Sequence, residues 1–197
     1  MKPNEPQWEL LPIEDAVRGN SAAPMLVTLA WPVAMASDPW LGLLLPTRDY
    51  NRELLGALRR YSLPNQAYVG VFLSHPYLNL GSVLAAVDAA GARGIAAFPG
   101  ISHLTSSFAE TAEQSGLALA TESQRLMQAA DHGFSTLATI GAPGVGKPLS
   151  GLKPDWVLTV PPVVGSELPA GCKGVLEYRP GAGSERRLPL PMRRTPD

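Results

Sequence analysis

A chain of 197 residues that is 45% apolar, with a formal net charge of −1, is suited to one soluble domain with a substantial core. Near-neutral charge removes the bulk electrostatic drive toward nucleic acid, and a single cysteine, Cys172, excludes an internal disulfide or a cysteine-rich metal site. Charged residues make up 17%, against roughly 25% in ordinary domains, and 19 glycines and 20 prolines mark a loop-rich fold. An uncharged surface of this kind suits a subunit interface. Met25–Pro46 is the most apolar stretch, but Pro32, Asp38 and Pro39 interrupt it well short of a membrane span. Met1–Asn4 has no apolar core for a signal peptide. The expectation is a soluble cytoplasmic protein with neither a membrane nor a nucleic-acid partner.

Residues 1–24 read as a polar extension with a weak helical pattern at Trp8–Val17. Met25–Trp31 then reads as a buried strand. Asp49 is placed to cap a helix over Tyr50–Tyr61, with Leu54, Leu55 and Leu58 as its apolar stripe. Ala67–Leu73, Gly94–Phe98 and Phe134–Ile140 are short apolar runs bounded by turn residues, the pattern of buried strands. Between them lie helical patterns at Leu80–Ala90, Thr105–Gln114 and Glu122–Ala130. Residues 141–155 are rich in glycine and proline, Trp156–Val160 is a further strand, and Gly174–Tyr178 reads as an exposed edge strand in an irregular tail over 166–197. Strand–helix–strand alternation implies parallel pairing with right-handed crossovers. The fold class is α/β, a parallel (β/α) TIM-barrel-like domain over 25–165, incomplete, with five or six recognisable strands.

Ligands in such sheets are met by the loops that leave the carboxyl ends of the strands. Ser74-His75 and Ser102-His103 fall on two such loops, one strand–helix repeat apart. Histidine serves as acid, base or metal ligand near neutral pH. The plainer reading has the same Ser and His residues bonding backbone groups and capping helices. Glu122 opens a helix after a strand–loop excursion, whereas Glu110 and Glu113 read as solvated helix charges. Gly141-Ala-Pro-Gly-Val-Gly-Lys147 fits part of a phosphate-binding loop, but Pro148 stands where the magnesium-binding hydroxyl belongs. It reads as a flexible loop in which Lys147 contacts an anion.

Leu41–Asn51, Val69–Tyr77, Gly94–Ile101, Phe108–Leu119, Glu122 and Phe134–Ile140 follow one another in the order and spacing of a known group. They resemble the phosphoenolpyruvate hydrolase-like TIM-barrel family, related to phosphoenolpyruvate- and phosphonopyruvate-handling barrels. Pro46, Asp49, Asn51, Pro76, Phe98, Pro99, Phe108, Glu113, Gly116 and Glu122 match its pattern over roughly residues 25–160. The chain departs from it at His75, Ala97, Thr105 and Ala109, where the family has Asp, Asn, Asp and Arg. The resemblance implies a site for a small anionic carboxylate or phosphorylated acid. Its catalytic candidates are His75 as acid/base and Glu122 as a carboxylate that orients or coordinates, with Ser74, Pro99, Gly100, Ser102 and His103 its ligand contacts. Magnesium or manganese is compatible with such a rim but not required by the sequence. The alternative is a non-catalytic paralogue, a binding or assembly subunit in a homo-oligomer or beside a partner chain that covers the open barrel edges.

Overall fold

The computed structural model describes residues 8–19, 22–30, 49–101, 111–141, 151–159, 171–177, 188–190 and 192–193. Seven strands pair in parallel in chain order: β1 (Trp8–Pro12), β2 (Met25–Thr28), β3 (Ala67–Val71), β4 (Gly94–Ala97), β5 (Ser135–Ile140), β6 (Trp156–Thr159) and β7 (Gly174–Glu177). Helices α1 (Ile13–Arg18), α2 (Tyr50–Leu58), α3 (Leu80–Ala89) and α4 (Leu119–Asp131) are interspersed. Two short strands, β8 (Leu188–Leu190) and β9 (Met192–Arg193), pair antiparallel with β1 and β7 at the two edges of the sheet. The result is an α/β parallel fold, barrel-like but incomplete in its parallel strands.

Inner side chains roll the sheet. β1 and β6 stand five positions apart, about 24 Å in a flat sheet at ordinary strand spacing. Yet the Trp8 ring meets that of Trp156 edge-on at 5.0 Å between centroids, and that of Tyr68 at 4.9 Å. Strand alternation sends Leu10, Leu26, Leu137, Leu158 and Leu176 into the same inner cluster as Trp8. The outward faces of β1 to β5 pack under Leu54, Val83, Val87 and Leu126 of the helices. Burying an indole of about 200 Å² contributes on the order of 5 kcal/mol. That exceeds the cost, about 1–3 kcal/mol, of leaving the Trp8 Nε1 hydrogen without a partner among the described residues.

Two sequence expectations change. The weak helical pattern at Trp8–Val17 resolves into a strand followed at once by a helix, so the N-terminal extension supplies β1. Gly174–Glu177 is no exposed edge; it is buried and paired on both sides, by β6 and β9. Of the Thr105–Gln114 helical pattern only 111–114 is described, and the glycine-rich motif at 142–147 lies outside the described residues.

Gly70 and Gly94 are required by contact. A methyl group at Gly94 would stand 2.6 Å from the Tyr68 ring and 2.5 Å from the Ser135 carbonyl, whereas one at Gly56 on α2 meets nothing within 4 Å. Gly94→Ala is therefore expected to destabilise the protein by about 1–3 kcal/mol. Gly56→Ala should stabilise it by roughly 0.5–1 kcal/mol through helix propensity. Urea unfolding midpoints of the two variants check both signs.

Candidate functional site

Seven parallel strands bring their carboxyl ends to one rim, and three of the residues singled out in the sequence, Ser74, Gly100 and Glu122, come together there by the end of β3. After β3 the chain passes through Phe72, Leu73, Ser74 and His75, of which the first three are buried and His75 half-buried. This segment has lost its sheet neighbours, so its backbone groups need other partners. Helices on both flanks supply them.

From one flank, α2 begins at Asp49, whose Oδ1 accepts from the Arg52 N–H at 3.0 Å and caps the helix as the sequence suggests. The cap sets Asn51 against Phe72. The Asn51 amide donates to the Phe72 carbonyl at 2.9 Å and accepts from the Phe72 N–H at 3.2 Å, replacing a missing strand. The Tyr50 hydroxyl donates to the Gly70 carbonyl at 3.0 Å.

From the other flank, the first turns of α4 present Glu122 and Arg125. Glu122 Oε2 accepts from the Ser74 hydroxyl at 2.8 Å and from the Ile101 N–H at 3.4 Å. Arg125 Nη1 donates to the carbonyls of Leu73 at 2.5 Å and His75 at 2.6 Å. Three consecutive residues, 73 to 75, are thus tied to one turn of helix. Gly100 lies directly against the carboxyl group: a methyl there would stand 3.2 Å from Oε1 and 3.3 Å from Oε2. Pro99 and Gly100 are buried, and the Phe98–Pro99 peptide bond is cis.

The structure joins Ser74, Gly100 and Glu122 in one cluster. His75 stands beside it rather than in it, its ring edge-on to Phe72 at 6.0 Å and to Tyr77 at 6.1 Å. Ser102 and His103 lie outside the described residues. No sequence signal points to Arg125, and only a family pattern points to Asn51. Thr28 and Thr139, buried at the carboxyl ends of β2 and β5, also went unremarked; the Thr139 hydroxyl donates to the Ala97 carbonyl.

Electrostatics at Glu122 follow from burial. It is 3% exposed, and desolvation pushes its carboxyl up to about 7, against the smaller lowering effects of the Ser74 and Ile101 hydrogen bonds. The group is a neutral acid over much of the acidic range. The carboxyl is enclosed, and its Oε2 already accepts twice. Among the described residues no group of three or more His, Cys, Asp or Glu side chains is placed to hold a metal ion. Among the same residues no helix is long and apolar enough to cross a membrane.

No family model matches the chain. An uncharacterized protein of Sinorhizobium fredii, y4oT, is 31% identical to it over 105 residues, covering 53% of this chain and 54% of the relative. The chain therefore spans about half the length of that curated relative.

The pH dependence of stability carries a defined sign. The unfolded Glu122 carboxyl releases its proton near 4.5 and the folded one near 7, so between these values the native state binds more protons. Stability contributed by this group falls as pH rises through that window, by on the order of 3 kcal/mol in full. Glu122→Gln removes the loss. Urea unfolding at about pH 5 and about pH 8 should show the wild type weakening and the variant holding its midpoint at the higher pH.

Proposed function

We propose that this chain is a divergent phosphoenolpyruvate hydrolase-like barrel protein of the cytoplasm that binds or acts on a small anionic carboxylate or phosphorylated acid at the carboxyl rim. The observation that supports the reading best is the anchorage of residues 73 to 75 by Glu122 and Arg125. It fixes the backbone from which His75 projects, half-buried, at the end of β3. A binding residue on a loop gains precision when the loop is held by a rigid element. In this reading the imidazole of His75 contacts the ligand and exchanges a proton with it. Glu122 and Ser74, both enclosed, act through His75 and are positioning residues.

A second reading, a binding or assembly subunit without turnover, is favoured by one feature of the same loop. Tyr77 is 90% exposed and follows the exposed Pro76 beside the His75 ring, a surface suited to a partner chain. The two readings separate in a thermal-shift measurement with phosphoenolpyruvate, phosphonopyruvate and oxaloacetate. A ligand that binds only the folded chain must raise its melting temperature. The first reading expects one of these acids to raise Tm by several degrees in the wild type and not in His75→Ala, with the ligand-free Tm of the two proteins alike. A flat wild-type response supports the subunit reading, and a rise that survives in His75→Ala removes His75 from the site.

A further inference from the structure

Arg125 brings a positive charge to the rim and meets only uncharged groups there. It stands half-buried on α4, and a single nitrogen, Nη1, donates to the carbonyls of Leu73 and His75 at 2.5 and 2.6 Å. A guanidinium holds five N–H donors in one rigid plane. The two carbonyls take both hydrogens of Nη1, so those on Nε and Nη2 remain. These two nitrogens make up the side edge of the plane, which forks onto a carboxylate or phosphate through two parallel bonds.

No described residue fills that edge. Glu122, three residues earlier on the same helix, spends its Oε2 on Ser74 and Ile101. An ion pair does form among the described residues, Lys173 with Asp155, but none reaches Arg125. Desolvation alone acts on the Arg125 pKa, lowering it from the ordinary arginine value, and no neighbouring anion raises it. Among the described residues the enclosed side-chain polar atoms without a partner are Trp8 Nε1 and Glu9 Oε2. The free edge of Arg125 is therefore open, not sealed inside the protein.

Holding two carbonyls does not require a guanidinium. A lysine ammonium has three donors, enough for both, on a stem of similar reach. A partly desolvated charge without a counterion is costly to the protein, and an oxyanion arriving from outside removes that cost. The position suits one. His75 carries both the carbonyl held by Nη1 and the imidazole at the rim.

We propose that the Nε–Nη2 edge of Arg125 is an oxyanion subsite beside His75, taking the carboxylate or phosphate group of the ligand. This subsite rests on the proposed ligand site at the rim and adds the group that binds the ligand's charge. Arg125 then has two tasks. Nη1 sets the backbone of residue 75, and the other edge sets the anion, so one side chain fixes the imidazole and the ligand relative to each other.

The test measures binding of inorganic phosphate, acetate, phosphoenolpyruvate and oxaloacetate to the full-length chain by calorimetry, wild type beside Arg125→Lys. Lysine keeps the charge and enough donors for the two carbonyls but loses the fork. The ligand-free Tm of the variant should stay within a few degrees of the wild type, which separates loss of the anion from loss of the loop. Each probe that binds the wild type should bind the variant about tenfold or more weakly, and phosphate against acetate tells which oxyanion the edge takes. Equal affinity in the two proteins, or no binding of any probe, would overturn the subsite. Weakened phosphate or acetate binding, with neither larger acid bound, keeps the subsite and removes the small-acid reading. An acid bound equally by both proteins keeps that reading and removes the subsite. Should Arg125→Lys fail to fold, the wild type decides by nuclear magnetic resonance. The Nε–H proton of Arg125 should move downfield on saturation with phosphate or acetate, and an unmoved signal would overturn the subsite.

Discussion

Trp8 sets the curvature on which the rest of the molecule depends. Its ring touches side chains from β3 and β6, strands that a flat sheet would hold well apart. Once the sheet is rolled around this contact, the carboxyl ends of all seven parallel strands face one rim. The same roll requires small residues where aromatic rings and backbone cross the interior, which is why Gly70 and Gly94 admit no methyl group. At the two edges of the sheet β1 pairs with β8 and β7 with β9, strands one residue apart in the sequence.

At the rim the controlling constraint is the satisfaction of buried backbone. Beyond Val71 the chain leaves the sheet but not the interior, so its N–H and C=O groups must find side chains. Asn51 supplies a donor and an acceptor from α2, and Arg125 supplies donors from α4. Glu122 complements Arg125 from three residues away on the same helix face. Burial raises its carboxyl to about 7, so below that pH it is neutral and can remain enclosed where an ionised one would need water or a cation. The loop that carries His75 is thus fixed by the buried Asn51 and Glu122 and the part-buried Arg125, and any chemistry at His75 inherits its geometry from them.

The strands were legible wherever an apolar run was bracketed by turn residues, as at Ala67–Val71 and Gly94–Ala97. β1 was not, because Trp8–Pro12 passes into Ile13–Arg18 without a turn, and the joined apolar positions blur periods of two and 3.6. β8 and β9 escaped notice because alternating prolines argue against a strand. In the site, Ser74 and Glu122 were legible from their places after a strand and at the start of a helix. Arg125 was not, since its partners are the carbonyls of Leu73 and His75, and a carbonyl leaves no mark on a sequence.

A buried carboxylic acid with a raised pKa organises the rim, and direct titration of that group is the decisive measurement. Carbon-13 spectra of the Glu122 side-chain carboxyl, followed across the acidic and neutral range, give its protonation state without reference to activity. A midpoint near 7 is the predicted result. A midpoint near the ordinary glutamate value of about 4.3 would mean that water reaches the carboxyl, and the anchorage of residues 73 to 75 would lose its foundation.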